Sequence, residues 1–414
     1  MTRRVVVTGL GVVSSLGLSI KEFFENLLQG KSGVSRITRF DPANLEVQFA
    51  GEIKNFPFTD RFDIKLQRRT DRFTQYALWA SLSAVEDAGI DLNKIDKNRT
   101  GVIIGSGMGG IETWEIEHIK FLQGGPKKVS PLLVPMMIPD MASGQVSIYF
   151  GFKGPNFCIT SACASGAHAI GEAFRLIKSG DADLIVTGGS EAPITGYCIS
   201  SFANMGALSK RNDEPEKASR PFDKDRNGFV LGEGCGVVIL EELSSALKRN
   251  AKIYCEICGY GASADAFHIT APDETGEGAY LAMANALKEA NLSPNDIDYV
   301  NAHGTSTKLN DKIEVMAIKK LFKEHSYKLL VNSTKSMVGH LLGGAGAIEF
   351  VVTCLSVFHN KVHPTINLDN PDEGMDLDFV RFQMREKEIF GAMNNSFGFG
   401  GHNACLVVKK FVGG

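Results

Sequence analysis

Short runs of apolar, mostly β-branched residues alternate along this chain with longer segments whose apolar positions recur at helical spacing. The short runs predict strands and the longer segments predict amphipathic helices, and this alternation is typical of an α/β fold. Strands are predicted at Arg4–Thr8, Gly101–Ile104, Leu184–Thr187, Gly236–Leu240, Ile253–Ile257, Tyr299–Ala302 and Leu406–Val408. Helices are predicted at Phe73–Ala88, Ser165–Lys178, Gly278–Ala290 and Ala345–Phe358.

The pattern repeats within the chain. The segment AVEDAGIDLNKID at 84–96 matches ALKEANLSPNDID at 286–298. In each copy a helix ends at a Gly or Asn, the residues that tolerate a left-handed C-terminal position, and a turn and a strand follow. A second match pairs GAHAI at 166–170 with GAGAI at 344–348. The two matches indicate an internal duplication.

The spacing of the copies differs between the two matches. The offset is 202 residues in the first match and 178 in the second, so the first half carries about two dozen extra residues. We place them within Ile111–Pro155, where Gly and Pro predict loops. We therefore predict two duplicated halves, 1–250 and 251–414, which share one body because no low-complexity linker separates them.

Composition narrows the class of protein. The chain has 414 residues, of which 43% are hydrophobic and 22% are charged, as in an ordinary globular protein. Lys plus Arg total 44 against 47 Asp plus Glu, and this balance argues against a nucleic-acid partner. The chain contains no run of 18 apolar residues, so no membrane span is predicted. The β-branched run after Arg4 predicts a strand rather than a signal peptide.

Glycine and cysteine add two further constraints. The 44 Gly exceed the usual share while Pro is only 14, so we expect many tight turns and close backbone approaches inside a packed fold. The eight Cys lie mostly in apolar segments, which is typical of reduced, buried thiols. We therefore expect a cytoplasmic protein, or an organelle stroma if a leader has been removed.

Four segments carry candidate chemistry: TSACASG at 160–166, NAHGTST at 301–307, STKSMVGHLLGGAG at 333–346 and NNSFGFGG at 394–401. In the first, Cys163 precedes a helix among small residues, and a helix N-terminus lowers a thiol pKa. The ordinary interpretations of the first three segments are a buried inert Cys, a structural His and an anion-binding loop. We expect the last segment to be a flexible loop, and its ordinary alternative is a plain hairpin turn. One Cys at a helix start with His303 and His340 in separate Gly-rich turns is, however, what acyl transfer to a thiol requires.

Three other motifs are rejected as sites. The GSGMGG segment at 105–110 fits a dinucleotide-binding pattern, but no suitable βαβ unit with an acidic residue follows it. Cys255 and Cys258 form a lone C-x-x-C within a predicted strand, which favours a structural role. His359 and His363 have no third ligand nearby, so we expect no zinc site there.

Taken in order, the motifs resemble those of the β-ketoacyl-acyl carrier protein synthases of the elongating type, and synthase II above all. The resemblance runs from end to end and rests on VVVTGLGVVS, GPNFCITSACASG, RPFDKDRNGFVLGEG, NAHGTST, KSMVGH and NSFGFGG. It implies a thiolase fold, in which two similar α/β halves form a five-layered αβαβα body, usually as a homodimer. It also implies a decarboxylative condensation of an acyl chain with malonyl-acyl carrier protein in fatty acid elongation.

The resemblance assigns the catalytic residues. Cys163 would hold the acyl chain as a thioester, and the backbone N–H groups of Cys163 and Phe399 would form the oxyanion hole. His303 and His340 would donate hydrogen bonds to the malonyl thioester and stabilise the enolate that forms when CO₂ leaves. Lys335 would support the two His, with the carboxylate of Glu349 as its partner.

The resemblance also assigns binding residues. Thr305, Thr307 and Thr270 would bind the pantetheine arm, Phe202 and Phe399 would gate the site, and Met108 would lie at the end of an acyl tunnel that accepts a medium or long chain. An acidic carrier protein would dock on the basic residues Lys65, Arg68, Arg69, Lys127 and Lys128. No cofactor is required beyond the phosphopantetheine of the carrier, and a monovalent cation, Na⁺ or K⁺, would be held by Asn301, Glu349, Asn394 and Asn395.

The chain departs from the family pattern at three positions without losing a catalytic group. Lys308 stands where Pro is common, His402 where Thr is common, and Asn394 where Ser or Cys is common. Two other functions stay open: a polyketide-type ketosynthase, which shares the Cys-His-His set, and a non-catalytic chain-length partner subunit, which usually lacks the nucleophile. A thiolase or an initiating synthase fits less well because those enzymes use Cys-His with a second Cys or an Asn.

Overall fold

The computed structural model describes residues 3–412. Its strands are β1 (Val5–Val13), β2 (Ser35–Arg36), β3 (Phe49–Ala50), β4 (Thr100–Gly105), β5 (Asn156–Phe157), β6 (Leu184–Glu191), β7 (Gly234–Glu242), β8 (Cys255–Ala264), β9 (Tyr299–Asn301), β10 (Leu330–Asn332), β11 (Lys361–Val362), β12 (Arg385–Glu386), β13 (Gly391–Gly398) and β14 (His402–Lys409). Its helices are α1 (Ile20–Leu28), α2 (Ile64–Gln67), α3 (Arg72–Asp87), α4 (Ile111–Gly124), α5 (Leu133–Met137), α6 (Met141–Phe150), α7 (Ser165–Ser179), α8 (Gly196–Asn204), α9 (Leu243–Lys248), α10 (Glu277–Ala290), α11 (Lys308–Phe322), α12 (Lys335–Val338) and α13 (Ala345–His359).

Ten strands form one sheet that contains the same arrangement twice. In the N-terminal half the order is β1-β7-β6-β4-β5, and in the C-terminal half it is β8-β14-β13-β9-β10. Numbered within each half, both orders are first, fifth, fourth, second and third. The pairing directions also match, since β4–β6 and β9–β13 are parallel whereas β6–β7 and β13–β14 are antiparallel. The predicted duplication is therefore present in the topology.

The two half-sheets join where β1 and β8 pair through Val5–Val7 and Cys255–Ile257. Helices α7 and α13 lie between the halves, because each contacts strands of both. Helix α3 covers the outer face of the N-terminal half and α10 covers that of the C-terminal half. The layers are thus helix, sheet, helix pair, sheet and helix, as the resemblance implied. The boundary at residues 250 and 251 stays a prediction.

The repeated Gly-Ala segments meet where α7 and α13 approach each other. A Cβ on Gly166 would lie 2.9 Å from Cβ of Ala347, and a Cβ on Gly346 would lie 2.9 Å from Cβ of Ala167. These distances are shorter than ordinary carbon contacts, so only Gly permits the approach. Part of the glycine excess is therefore explained by the close packing of the central layer.

All predicted strands and helices are present, and most extend beyond their predicted ends. The strand predicted at Arg4–Thr8, for example, runs to Val13. The stripe predicted on α7, which comprises Gly166, Ile170, Ala173, Phe174 and Ile177, is entirely buried.

Two loop predictions are wrong. The segment Ile111–Pro155 contains α4, α5 and α6 rather than an extended loop, and most of its Gly and Pro residues lie outside these helices. The segment at 394–401 is not a flexible loop as a whole, because residues 394–398 belong to β13. Pairing with β14 and β9 on either side holds this Gly-containing segment extended.

The segment Leu342–His359, which includes α13, is long and apolar enough to span a membrane by length and composition alone, although no uninterrupted apolar run marks it. However, 89% of it is buried inside the fold. Its apolar character follows from its place in the central layer, where it contacts both half-sheets.

Candidate active site

Cys163 lies immediately before α7, and its residue is 7% exposed. The preceding Ala162 has φ +50°, a left-handed conformation that costs an L-residue about 1–2 kcal/mol. This turn is held by Ser165, whose Oγ donates to the Ala162 carbonyl at 2.7 Å and accepts from the Ser161 N–H at 2.9 Å. The strained turn therefore fixes the direction in which the thiol points.

The electrostatic surroundings of the thiol differ from the prediction. Burial raises the pKa of Cys163 to about 11, although the charge of Lys335 and the backbone N–H of Phe399 act in the opposite direction. Desolvation therefore acts against the thiolate that the helix N-terminus is expected to favour. Backbone hydrogen bonds from the N–H groups of Phe399 and of Cys163 itself also oppose the rise in the pKa of Cys163, and these are the two groups that the resemblance assigns to the oxyanion hole.

Two buried imidazoles lie together in the C-terminal half. The rings of His303 and His340 have centroids 5.3 Å apart and an interplanar angle of 83°. Burial, with the nearby charge of Lys335, lowers the pKa of both His well below the usual value, so both are neutral near pH 7. The Leu342 N–H donates to Nδ1 of His340 at 3.2 Å. Because that nitrogen accepts, the ring proton is on Nε2.

Lys335 sets the same tautomer in the other ring. Its Nζ is 3.1 Å from Nδ1 of His303, donates to the His303 carbonyl at 2.6 Å and bonds to Oε1 of Glu349 at 2.5 Å. An ammonium can only donate, so Nδ1 of His303 accepts and its Nε2 carries the proton. Both imidazoles therefore present an N–H as a hydrogen-bond donor.

A buried carboxylate holds the turn that carries His303. Oε1 and Oε2 of Glu314, on α11, accept from the His303 and Gly304 N–H groups, each at 2.8 Å. Asn395 donates to the same carboxylate at 3.2 Å. Burial raises the pKa of Glu314 to about 7, although these N–H donors act in the opposite direction. Sequence analysis did not find this residue.

One cavity of about 630 Å³ brings together nearly all of the predicted catalytic and substrate-binding residues: Met108, Cys163, Phe202, Thr270, His303, Thr305, Thr307, His340 and Phe399. Lys335 lies behind it and is buried. Oγ1 of Thr305 and Oγ1 of Thr307 are 2.9 Å apart, so the two hydroxyls form one polar edge. A row of edge-to-face contacts, from Phe202 to Phe229 and from Phe229 to His340, forms an aromatic wall.

The Gly-rich turn that follows β4 does not leave its N–H groups open to a phosphate. The carboxylate of Glu191 accepts from the N–H of Gly107 at 2.7 Å, of Met108 at 3.0 Å and of Gly343 at 2.9 Å. The hydroxyl of Ser106 donates to it at 2.8 Å. A carboxylate of this chain thus occupies the anion site, in agreement with rejection of a dinucleotide fingerprint. Glu191 also joins the Met108 turn to the turn after His340, a link that sequence analysis missed.

The predicted docking residues are exposed but form two separate surfaces. Lys65, Arg68 and Arg69 lie in or just after α2, whereas Lys127 and Lys128 follow α4. The start of α3 contacts the start of α4, since Arg72 pairs with Glu112 at 3.1 Å. Helix α4 has 14 residues, so its far end lies about 21 Å from that contact. Within one chain the two surfaces are therefore apart.

The predicted cation ligands divide between two faces of β13. Asn394 donates to the Gly346 carbonyl in the central layer, and Asn301 donates to the Glu349 carbonyl on the same side. Asn395 points the other way, toward Met283 and Glu314. The side chain of Asn395 therefore does not join the other predicted ligands. On the central side, buried oxygens without a hydrogen-bond donor are Oδ1 of Asn301, Oε2 of Glu349, Oδ1 of Asn394 and Oγ of Ser396.

The Cys and His residues of the rejected motifs pack within the protein, as expected of structural residues. Cys255 and Cys258 belong to different core clusters on β8. His359 stacks on Phe24, while His363 is buried with Nε2 3.0 Å from Oγ1 of Thr334. Within residues 3–412, no group of three or more His, Cys, Asp or Glu side chains is arranged to hold a metal ion.

Comparison with known proteins identifies the family. Residues 2–246 match the model for the beta-ketoacyl synthase N-terminal domain, and residues 254–369 match that for the C-terminal domain. This chain belongs to the beta-ketoacyl synthase family.

Individual relatives match over nearly the whole chain. The 3-oxoacyl-[acyl-carrier-protein] synthase 2 of Staphylococcus aureus (strain COL) is 52% identical over 409 residues, which are 99% of each chain. The protein of the same name from Synechocystis sp. is 50% identical over 99% of this chain and 98% of its own.

Solved structures share the fold. A ketosynthase of a type II polyketide synthase, in complex with its acyl-carrier protein and bound to the hexaketide, is 34% identical with a TM-score of 0.93 and full coverage of both chains. A beta-ketoacyl synthase from Burkholderia phymatum is 35% identical with a TM-score of 0.92, covering 99% of this chain and 100% of its own. These likenesses agree with the thiolase fold that the resemblance implied and with the duplicated topology.

Proposed function

We propose that this protein is a condensing enzyme of fatty acid elongation, which joins an enzyme-bound acyl chain to malonyl-acyl carrier protein and releases CO₂ and a 3-oxoacyl product. The observation that carries this function is one cavity in which a buried thiol faces two backbone N–H donors and two neutral imidazoles. The relatives at 50–52% identity are named for this activity.

In the first half-reaction, the sulfur of Cys163 attacks the carbonyl of an acyl thioester. The N–H groups of Cys163 and Phe399 stabilise the oxyanion, and each such donor is worth about 3 kcal/mol in the transition state. The bond to the leaving sulfur then breaks and the acyl group stays on Cys163. The thiol proton, lost as the sulfur attacks, ends on the departing pantetheine sulfur, so the exchange balances.

In the second half-reaction, the carbonyl of the malonyl thioester accepts hydrogen bonds from Nε2 of His303 and His340. The bond to the carboxylate breaks, CO₂ leaves and its electron pair forms an enolate, whose charge the two N–H donors stabilise. The carbanion attacks the acyl carbonyl on Cys163 and releases the sulfur, which takes up one proton. Neutral imidazoles suit this step because each Nε2 keeps its proton as a donor.

The acyl chain would extend past Met108. This side chain is half-buried, lines the cavity and packs against an apolar cluster that includes Ile199 and Phe229. Met is flexible and apolar, which favours medium or long chains. Glu191 fixes the Met108 backbone, so the end of the tunnel is set by the side chain rather than by loop movement.

The carrier protein would dock on Lys65, Arg68 and Arg69 and on Lys127 and Lys128. A structural neighbour is described in complex with an acyl-carrier protein, which supports this kind of partner. Opposite charge across such a surface raises association rates and sets orientation.

A second copy of the chain is the proposed dimer partner. The exposed apolar side chains of the α4–β5 region are Ile116, Ile119, Phe121, Leu122, Leu132, Val134, Ile148, Tyr149 and Phe157. Strand β5 is the edge of the ten-stranded sheet, and both its residues are exposed. An unpaired edge beside a large apolar surface favours burial against another chain. Glu at both Leu122 and Ile148 should shift the sedimentation coefficient from that of a dimer to that of a monomer.

A monovalent cation fits the oxygens on the central side of β13. Neutral amide and hydroxyl oxygens with one carboxylate suit Na⁺ or K⁺, and burial without a donor leaves them in need of a partner. Asn301, Glu349, Asn394 and Ser396 would hold it and thereby stiffen the start of α13. Its positive charge would also favour the ionised form of Glu349, whose pKa burial raises to about 7.

A polyketide ketosynthase is the second candidate, since ketosynthases of that class share the fold at 34% identity. The higher identity to fatty acid synthases favours elongation of simple acyl chains. A non-catalytic partner subunit is disfavoured because Cys163, His303 and His340 are all present.

The experiment is to supply acyl-carrier substrates of graded length together with malonyl-carrier protein and to identify the products by mass spectrometry. We expect products longer by two carbons from saturated chains of medium or long length. Absence of any 3-oxoacyl product from such chains would contradict the proposal, and extension of a poly-β-keto chain alone would support the second candidate.

A further inference from the structure

Along one short segment that lines the cavity, the residues change from buried to exposed. Thr305 is 6% exposed, Thr307 is half-buried and Lys308 is exposed, and all three line the cavity. The other exposed residues that line the cavity mark its mouth: Met205, Gly206, Asn227 and Leu309. Lys308 therefore lies at the mouth, on the same edge as the two threonine hydroxyls.

Apart from the two His, three lining residues carry charge: Arg226, Asp265 and Lys308. Arg226 is buried and donates to Asp372 at 2.7 Å. Asp265 accepts from Asn403 at 2.6 Å. These two charges are thus committed to partners within the protein.

Lys308 is placed differently. Its Nζ donates to the Lys224 carbonyl, which holds the side chain at the rim, and two of its three N–H donors remain for another partner. Among residues 3–412 it has no carboxylate within 4.0 Å. Asp372 is close enough for Lys308 to help lower its pKa, but that carboxylate is already bonded to Arg226. The mouth therefore presents an anchored cation.

The substrate of the proposed function has an anion at the matching place. A phosphopantetheine arm carries its thioester at one end, amides in the middle and a phosphodiester at the end attached to the carrier. With the thioester at Cys163 and the amides beside Thr305 and Thr307, the phosphate emerges at the mouth. We infer that Lys308 binds the phosphate of the phosphopantetheine arm, an assignment that rests on the proposed function.

The test measures acylation of Cys163 by intact-mass spectrometry with two carrier-free substrates, octanoyl-phosphopantetheine and octanoyl-pantetheine. The variants are Lys308→Met, Lys308→Arg and the control Lys312→Met. Lys312 is exposed on the same helix α11 and lies outside the cavity lining, so its replacement changes the net charge equally. The substrate without phosphate reports whether each variant is folded and active.

We expect Lys308→Met to lower the acylation efficiency about fivefold with the phosphorylated substrate, the size of about 1 kcal/mol for an exposed charge contact, and to leave the other substrate unchanged. Lys308→Arg and Lys312→Met should behave like the wild type. The loss should shrink in about 0.5 M salt, where exposed charges are screened.

Equal effects of Lys308→Met on both substrates, or no effect on either, would overturn the phosphate assignment. If the same assay repeated with octanoyl-carrier protein shows a loss for Lys308→Met and neither carrier-free substrate does, the phosphate assignment is also overturned and Lys308 belongs to carrier docking. If wild-type protein fails to acylate Cys163 with either substrate, the proposed function fails instead, so the two failures are distinguishable.

Discussion

The two halves of this protein share one topology and differ in chemistry. In each half, the segments after the second and third strands approach the cavity. In the N-terminal half these segments carry Met108 and Cys163, an apolar side chain and a neutral thiol. In the C-terminal half they carry His303 and His340, backed by the charge of Lys335. In the proposed function, these equivalent positions carry the side chains of two different half-reactions.

A buried carboxylate holds the turn after the second strand in both halves, but from different places. Glu191 is the last residue of β6 and accepts from the turn that contains Met108. Glu314 lies on α11 and accepts from the turn that contains His303. Buried N–H groups in a tight turn need hydrogen-bond acceptors, and in the two halves residues at unrelated positions supply them. Both turns are therefore held by hydrogen bonds to a buried carboxylate.

The largest expected effect comes from a substitution in the N-terminal half alone. Cys163→Ala removes the group that carries the acyl chain, so condensation should fall by at least about 10⁴-fold. The measurement is formation of 3-oxoacyl product from acyl-carrier and malonyl-carrier substrates. Full elongation activity in this variant would sink the assignment of the nucleophile.

The second substitution, Lys335→Met, removes a buried charge in the C-terminal half. It leaves the carboxylate of Glu349 buried without its partner and removes the donor to Nδ1 of His303. We expect malonyl decarboxylation to fall about 10²- to 10³-fold and the free energy of unfolding to drop by about 3 kcal/mol. Radiolabelled CO₂ release and chemical denaturation measure these quantities. Unchanged decarboxylation would show that Lys335 does not support His303.

The double change Lys335→Met with Glu349→Gln is the matched control. It removes both members of the pair and so avoids an uncompensated charge. It should recover much of the stability but not the decarboxylation activity.

The pH dependence of the free energy of unfolding tests one of the two buried carboxylates, Glu314. The pKa of Glu314 is raised to about 7 in the folded protein, above its value in the unfolded chain. A raised carboxyl pKa contributes stability at low pH that is lost as the pH rises through the folded value. The unfolding free energy of the wild type relative to Glu314→Gln should therefore fall by about 2 kcal/mol from pH 5.5 to pH 8.

Denaturant titrations of both proteins across that range measure the difference. A flat difference would mean that Glu314 stays ionised throughout. A difference that grows with pH would reverse the sign and contradict burial as the dominant influence.

The smallest effect concerns the exposed surface of the N-terminal half. Glu at both Lys65 and Arg68 should raise the KM for carrier-bound acyl substrate about tenfold, because the surface would then repel an acidic partner. Octanoyl-pantetheine should be unaffected. The control is Lys288→Glu, an exposed change on α10 in the other half. Equal KM changes in the control would show that net charge, not this surface, matters.

Sequence patterns predicted the α/β class, the duplication and the residues that meet in the cavity. Helix stops such as Gly89 and Asn291 are local features that survive in both copies, and both have the expected positive φ. Cys163, His303 and His340 stand in distinctive segments that resemble one family. Such signals lie within a few residues of each other, where sequence analysis is strongest.

The failures have a common physical cause. Strand β13 contains Gly and was predicted as part of a flexible loop, but its extension is set by partners that lie far away along the chain. Glu191 bonds to Gly343, and the pKa of Cys163 depends on burial by many segments. Long-range hydrogen bonds and desolvation leave no local pattern, so the structure was needed to find them.

The most direct test of the division between the halves measures the two half-reactions separately in two variants. Cys163→Ala is compared with a double His303→Ala, His340→Ala variant, using intact-mass detection of acyl-enzyme and CO₂ release from malonyl-carrier protein. The account predicts that the first variant forms no acyl-enzyme but still releases CO₂, and that the second forms acyl-enzyme but releases none. Loss of both half-reactions in both folded variants would contradict it.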